Sequence, residues 1–214
     1  MRNRIILVIS VFVFFALQAQ PSPQSKKITK KFFPDSESLL PVTPALKKKR
    51  GYTNYKELIS FINDLKESHP SVVSIKYIGE SQKGYKIPVI QIKTISDSEK
   101  IKIWMQAGLH GNEPAGTEGL LYYMHSILNN NSYADLLEGV DLLILPMANI
   151  DGYLKDNRYA ANGLDLNRDQ TKLMAPETRL IKKVFCEFNA HVGLDFHEYR
   201  PYRKDFAQLS DFGI

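Results

Sequence analysis

The spacing of apolar residues switches repeatedly between helical and strand-like along this chain, and this alternation constrains the fold more than any other feature. The run from Asp141 to Met147 is apolar at nearly every position, which is typical of a strand covered on both faces. Strands that alternate with helices predict an α/β fold, with a mixed, mostly parallel sheet and helices on both of its faces. Predicted helices span about 55–65, 115–128 and a stretch that begins at Pro176, and predicted strands span 72–78, 87–95, 101–105, 141–147 and 192–196.

The first residues of the chain have the pattern of an export signal. Arg2 and Arg4 precede an apolar run from Ile5 to Leu17, which Gln18-Ala19-Gln20 follows. A positive start, a short apolar middle and a small residue at the end are typical of a secretory signal peptide, which we expect over residues 1–19. The run is shorter than the roughly twenty apolar residues that a membrane-spanning helix needs. We therefore predict a periplasmic or secreted protein without stable membrane insertion.

Basic residues are concentrated in a proline-containing segment, residues 20–50, which we interpret as a linker before a domain at 51–214. The formal net charge of the chain is +5, but its lysines cluster in this segment, ahead of the predicted folded region. No basic stripe interleaved with aromatic residues follows in the sequence. Nucleic acid is therefore not an expected partner.

Cys186 is the only cysteine, so the chain cannot form an internal disulfide. The surrounding residues have a helical pattern with Phe185 and Phe188 close by. This environment predicts a buried thiol that packs as a small hydrophobic group.

A histidine and a carboxylate lie three residues apart at the predicted end of the third strand. His110 and Glu113 flank Gly111-Asn112, just before a helix that Pro114 opens. Zinc accepts imidazole nitrogen and carboxylate oxygen, and a catalytic site keeps one coordination position open. A third ligand must come from elsewhere, and His197, at the end of a later strand, could supply it. Taken alone, the first pair is common in sequences, and a purely structural His110 is an equal alternative.

A long polar loop supplies two arginines. Asn149-Ile150-Asp151-Gly152-Tyr153 begins it, Arg158 lies within it, and Gly163-Leu164-Asp165-Leu166-Asn167-Arg168 ends it. An arginine fork binds a carboxylate through two parallel hydrogen bonds, and a neighbouring Asn amide adds another donor. A second guanidinium can face the oxygen that becomes negative in a tetrahedral intermediate. For either arginine alone, a surface salt bridge is the alternative.

The order of these segments resembles the zinc carboxypeptidase family of metallopeptidases. The resemblance runs from about Tyr52 to the end of the chain, and it departs from the family at Ile150, where proline is usual. It implies the family's α/β fold and its hydrolytic activity. The segments that carry the resemblance are Gly108–Pro114, Asn149–Tyr153, Arg158, Gly163–Arg168 and Leu194–Tyr199.

The resemblance also implies roles for individual residues. Asn167 and Arg168 would bind the terminal carboxylate of a peptide, and Arg158 would polarise the scissile carbonyl and stabilise its oxyanion. Family members hydrolyse the C-terminal peptide bond with a zinc-bound water as the nucleophile. The expected substrates are peptide or protein C-termini, because an internal bond would leave a buried arginine unpaired. The implied zinc ligands are His110, Glu113 and His197.

The general base that this reaction needs has no evident position in the chain. In the family it is a glutamate on a late strand, well downstream of the third zinc ligand. Glu198 directly follows that ligand, and in an extended strand it would point to the opposite face. We therefore expect the domain to be incomplete at its C-terminal end, as part of a longer enzyme. A complete protein that binds zinc and C-termini without hydrolysing them is the alternative.

Two other functions are compatible with the same motifs. The segment from His110 to Glu113 and the segment that ends at Arg168 also resemble deacylases of N-acyl amino acids, which are relatives of the same zinc hydrolases. The long loop and the helix-first start at Tyr55 favour the peptidase branch. An α/β domain without metal is the remaining alternative. It predicts that replacing His110 or His197 by Ala leaves the metal content unchanged.

Overall fold

The helices and strands of the larger unit follow the predicted alternation. A computed structural model describes residues 25–32, 40–95 and 99–198. Backbone contacts divide the chain into one unit of Met1–Leu39 with Arg200–Ile214 and another of Leu40–Tyr199. The described element of the first unit is helix α1, Lys26–Phe32. The larger unit contains α2 Tyr55–Ser68, β1 Val73–Glu80, β2 Lys86–Lys93, β3 Ile101–Ala107, α3 Pro114–Asn129, a 3-10 turn at Asn131–Tyr133, α4 Ala134–Gly139, β4 Val140–Leu145, α5 Ile150–Tyr153, α6 Pro176–Phe188 and β5 Val192–Phe196.

The signal peptide predicted at residues 1–19 lies outside the described residues. The predicted linker, residues 20–50, contains α1, and from Leu40 onward it belongs to the larger unit. Thr43 is buried, and the Lys48 ammonium donates to a Glu57 carboxylate oxygen at 2.7 Å. Residues 40–50 therefore lie against the folded body, and a domain that starts at residue 51 stays a prediction.

Local sequence signals set the ends of the helices. The Asn54 side chain accepts a hydrogen bond from the Glu57 backbone N–H, while the Glu57 side chain accepts one from the Asn54 backbone N–H. This capping box begins α2, and Pro70 follows the His69 that caps its end. The longest described helix, α3, has 16 residues and begins at Pro114. No helix in the described part of the chain has the length and apolar character needed to cross a membrane.

The sheet has five strands in the order β1-β2-β4-β3-β5. β1 pairs antiparallel with β2, and β2 pairs antiparallel with β4, whereas β4 and β5 both pair parallel with β3. The mixed sheet is therefore confirmed, but parallel pairs make up two of the four described pairings rather than most of them. The short β1–β2 connection explains part of the difference. It turns at Gly84, whose φ of +82° favours glycine, and a connection this short allows only an antiparallel pair.

Helices cover both faces of the sheet, as predicted. On one face, the Trp104 ring of β3 packs edge-on against Phe185 of α6, with 5.7 Å between the ring centroids. On the other face, Ala107 of β3 lies so close to Gly116 of α3 that a side chain there would contact it at 3.1 Å. Side chains of β4 are buried on both faces from Asp141 to Leu145, which agrees with the continuous apolar run in the sequence.

The prediction of a buried Cys186 is wrong, because the thiol is exposed. The buried stripe of α6 includes Ile181 and Val184. Cys186 lies two residues beyond Val184, or about 200° around the helix, and therefore points away from the sheet. The last strand is also more open than its sequence indicates. All five residues of β5 are exposed, and β3 is its one described partner.

Candidate active site

The three predicted metal ligands meet where β3 and β5 end side by side. Ala107 at the end of β3 pairs with Phe196 at the end of β5, so the residues that follow the two strands emerge together. One ligand atom from each of the three side chains lies within 4.8 Å of the others. The residues are His110, Glu113 and His197.

Glu113 lies between the two imidazole rings. Its Oε1 is 2.9 Å from His110 Nδ1, and its Oε2 is 2.8 Å from His197 Nδ1. The His110 and Glu113 side chains are almost completely buried, and the His197 side chain is 12% exposed. The same nitrogen of each ring therefore faces one shared carboxylate, as expected of groups that bind a single ion.

Close backbone packing sets the conformation of the loop that carries the first two ligands. Gly108 has φ +65°, a conformation that favours glycine, and it turns the chain out of β3. Gly111 lies against α5, and a Cβ there would come within 2.1 Å of the Gly152 carbonyl carbon. Gly152 is fixed in turn by Asn149, whose side-chain oxygen accepts from its N–H at 3.0 Å. Two glycines on facing segments thus allow the approach that places His110 and Glu113.

The chemistry of the donor set fits zinc. His110 Nε2 is 3.1 Å from a carboxylate oxygen of Asp165, while His110 Nδ1 faces Glu113. A neutral imidazole has one N–H, so only one of its nitrogens can donate. When Nε2–H donates to Asp165, the Nδ1 lone pair points at the Glu113 oxygen, which is favourable when both atoms bind a cation. A histidine that donates its second N–H to a carboxylate is the usual arrangement at protein zinc sites.

Asp165 also holds Arg158 in place. The Arg158 Nε and Nη2 atoms lie 3.0 and 2.9 Å from Asp165 Oδ2, and its Nη1 lies 3.8 Å from Glu113 Oε1. Burial pushes the pKa of the Asp165 carboxyl upward, but the Arg158 guanidinium outweighs it and holds that pKa below its usual range. The Asp165 carboxylate therefore stays ionised and holds the Arg158 guanidinium beside the predicted metal ligands.

The Glu113 carboxyl is likewise held in its ionised form. Burial raises its pKa, but hydrogen bonds from His197 and from the Glu198 backbone N–H outweigh burial, and the pKa lies below its usual range. The Glu198 N–H donates to Glu113 Oε2 at 3.1 Å. A metal ligand must be deprotonated, and the Glu198 N–H, which uses no imidazole proton, favours that form of Glu113.

The other two predicted site residues lie at different distances from the metal ligands. The Asn167 side-chain amide nitrogen is 3.4 Å from His197 Nε2, and its backbone N–H donates to Asp165 at 2.9 Å. Arg168 is exposed, and one guanidinium nitrogen donates to the Asn167 carbonyl at 3.3 Å. The structure thus brings Arg158 and Asn167 to the metal ligands and leaves Arg168 at the rim.

The Glu198 side chain is engaged with the start of α3. Its carboxylate accepts a hydrogen bond from the backbone N–H of Ala115, in the first turn of α3. A carboxylate in that position offsets unpaired N–H groups at a helix start. Its position agrees with the expectation that Glu198 is a poor general base.

Comparison with known proteins places this geometry in a family. The zinc carboxypeptidase family profile matches residues 58–211. The chain belongs to the zinc carboxypeptidase family. It is 38% identical over 144 residues to Carboxypeptidase 2 of Trichophyton rubrum, which covers 62% of this chain and 27% of that protein. It is 35% identical over 173 residues to Carboxypeptidase 2 of Trichophyton tonsurans, with 75% and 32% covered.

Solved structures show the same relationship. The crystal structure of the carboxypeptidase A from Helicoverpa armigera superimposes with a TM-score of 0.64 and 25% identity over 70% of this chain and 46% of that one. The chain therefore spans about a third or less of its first curated relatives and about half of this solved carboxypeptidase.

Sequence reasoning assigned no role to Asp165, which links three other residues of this carboxypeptidase domain's site. It contacts the His110 ring, the Arg158 guanidinium and the Asn167 backbone. Its position two residues before Asn167 in a loop was the only available signal, because all three partners are brought together by the tertiary fold.

Proposed function

We propose that this chain carries the zinc-binding and C-terminus-binding part of a metallocarboxypeptidase that removes C-terminal residues from peptides. The observation that carries the proposal is the meeting of two histidines and a glutamate beside a fixed guanidinium. The zinc ligands of the proposal are His110, Glu113 and His197. When bound there, zinc supplies Lewis acidity that polarises a carbonyl and lowers the pKa of water.

Arg158 is proposed to stabilise the oxyanion. Asp165 occupies its Nε and Nη2 atoms, and this contact fixes the plane of the guanidinium. Its Nη1 atom approaches Glu113 no closer than 3.8 Å, so it can donate to a carbonyl oxygen beside the metal ligands. A donor that is already fixed costs little reorganisation as charge develops on that oxygen.

Asn167 and Arg168 are proposed to bind the terminal carboxylate of the substrate. The Asn167 amide lies beside His197, and among the described residues the exposed Arg168 guanidinium donates to a carbonyl rather than to a carboxylate. An arginine without a protein carboxylate can form a bidentate pair with a ligand carboxylate. Such a pair selects free C-termini over amides and internal bonds.

A binding domain without turnover is the second candidate, and the state of the carboxylates favours it. Near the metal ligands, within residues 99–198, Asp165 is paired with Arg158 and Glu198 is bound to the start of α3. Neither is free to accept a proton from water, as a general base must. A third carboxylate, that of Asp195, lies beside His197 Nε2 rather than beside Nδ1, the nitrogen that faces Glu113. This candidate predicts zinc and peptide binding without product.

Zinc content and ligand binding test the proposal separately from turnover. We expect about one zinc per chain by elemental analysis, and less than a tenth of that in His110→Ala and His197→Ala. An N-acylated dipeptide with a free C-terminus should bind more tightly than its amide, and Arg168→Ala should abolish the difference. Asp64→Asn is the control, because it removes an exposed carboxylate from α2. Unchanged zinc content in the histidine variants would refute the zinc site.

Product analysis decides between the remaining functions. The dipeptide and an N-acyl amino acid are offered to the zinc-loaded protein, and products are identified by mass spectrometry. Release of the C-terminal residue supports the carboxypeptidase, release of the acyl group alone supports the deacylase, and binding without product supports the second candidate. Export is a separate proposal, tested by whether the N-terminus of the protein recovered from its natural source begins after Ala19.

A further inference from the structure

Two side chains compete for the outer nitrogen of His197. A carboxylate oxygen of Asp195 lies 3.1 Å from His197 Nε2, and the amide nitrogen of Asn167 lies 3.4 Å from the same atom. The amide nitrogen is a donor, whereas the carboxylate only accepts. His197 Nε2 cannot donate to Asp195 and accept from Asn167 at once, so one of these contacts decides which tautomer the ring adopts.

Metal binding through Nδ1 decides the competition in favour of Asp195. His197 Nδ1 faces Glu113 at 2.8 Å, the direction of the shared ion, so its lone pair must be free when zinc binds. The proton then lies on Nε2, and its acceptor is the closer, charged group. Asn167 is left without a hydrogen bond to this ring, and its amide remains available to another ligand.

We propose that Asp195 is a positioning residue, which fixes the His197 ring for metal binding and so leaves the Asn167 amide free for the substrate carboxylate. The strand geometry supports the assignment. Side chains two residues apart in a strand point to the same side, so Asp195, at the end of β5, and His197, just after it, lie together without a turn.

The charges of the site support the same assignment. Three carboxylates among the described residues lie against the two histidine rings, those of Glu113, Asp165 and Asp195, and the Arg158 guanidinium is paired with Asp165. Asp195 thus contributes to the attraction for a divalent ion as well as to the orientation of its ligand.

The expected effect is moderate because the Asp195 side chain is 35% exposed, and water can partly replace it. Loss of such an outer partner typically lowers metal affinity about 10- to 100-fold, and the exposure places Asp195→Ala near the lower end, at about tenfold. Asp195→Asn keeps an acceptor oxygen but loses the charge, so it should lose only about threefold. Asn167→Ala should change zinc affinity less than about twofold and weaken binding of the free-C-terminal dipeptide instead.

The experiment measures zinc affinity by competition with a chromophoric chelator in the full chain, for the wild type, the three variants and Asp64→Asn. Proton NMR of the zinc-loaded protein adds a direct readout. The His197 Nε2–H resonance should be downfield in the wild type, move upfield in Asp195→Asn and be lost to exchange in Asp195→Ala. Thermal unfolding of the two metal-free Asp195 variants should stay close to that of the wild type, because the Asp195 side chain is 35% exposed and water can replace its contact with His197.

The inference rests on the proposed zinc site but not on hydrolysis, so the two fail in different ways. A wild type that binds no zinc refutes the proposed function. A wild type that binds zinc while Asp195→Ala binds it equally well overturns this inference alone. Weaker zinc binding in Asn167→Ala with unchanged binding in Asp195→Ala would also overturn it, and would assign His197 to Asn167.

Discussion

Gly111→Ala tests whether backbone packing, rather than ligand identity alone, builds the metal site. An added Cβ would lie 2.1 Å from the Gly152 carbonyl carbon, 2.3 Å from the Tyr153 nitrogen and 2.5 Å from the Asn157 carbonyl oxygen. Ordinary contact begins near 3.4 Å, so the segments must separate by about 1.3 Å, the difference between 3.4 and 2.1. All three obstacles are backbone atoms, and no side chain can rotate to make room.

This displacement exceeds what a metal site tolerates. Ligand distances at zinc vary by only about 0.2 Å, and the loop that must move carries both His110 and Glu113. We expect Gly111→Ala to lower zinc affinity by at least about tenfold, because both ligands move together while the third stays in place just after β5. The overpacking itself should cost about 1–3 kcal/mol of unfolding free energy.

Denaturant unfolding and chelator competition measure the two effects. Gly119→Ala is the matched control, because it lies within α3 and a Cβ there meets nothing within 4 Å. The control should keep its zinc affinity and gain about 0.5–1 kcal/mol of stability from the better helix former. If Gly111→Ala behaves like the control, the backbone approach does not position the ligands and the reasoning is refuted.

Three further outcomes follow from individual contacts. Burial raises the pKa of Asp169, but hydrogen bonds from the Ala175 backbone N–H and the Thr178 hydroxyl outweigh burial and lower that pKa. Asp169→Asn should therefore lower the free energy of unfolding by about 1–3 kcal/mol. Because the pKa is lowered in the folded state, the full loss of unfolding free energy should appear at pH values well above 3.8 and shrink as the pH falls below 3.8. Denaturant unfolding across pH measures this loss, and a loss independent of pH would contradict an ionised Asp169. Trp104→Ala should cost about 3–5 kcal/mol in the same assay, since the ring is only 2% exposed, and a loss below about 1 kcal/mol would contradict the described packing. The exposed Cys186 should react completely with a thiol reagent in the native protein, followed by absorbance, and a thiol that reacts only in denaturant would contradict its exposure.

Long periodic segments could be predicted from the sequence, and their bounds were close. The capped stretch from Tyr55 became α2, and the apolar run from Asp141 became most of β4. A helix or strand that is buried on one or both faces needs apolar residues at a specific spacing, and this spacing can be read from the sequence. Short elements such as α4 and α5, with six and four residues, show no full period and were not predicted.

Strand pairing and side-chain contacts could be predicted less well, because they depend on residues far apart in the chain. The zinc ligands were proposed from a family resemblance, and their convergence required the parallel pairing of β3 with β5. The link from Asp165 to His110 spans 55 positions and left no pattern in the sequence. Cys186 was placed in the core because its neighbours are apolar, although the stripe through Val184 is turned away from it.

The spacing of the metal ligands has a consequence for the order of folding. Glu113 and His197 are 84 positions apart, so an ion bound to both closes a loop that contains β4, α5 and α6. A nascent chain could offer only the His110–Glu113 pair until β5 docks, and two ligands hold zinc far more weakly than three. Full zinc affinity should therefore arise late in refolding, at the rate at which β5 joins β3. In the proposed zinc-bound protein, uptake of the ion during refolding should therefore report the pairing of β5 with β3.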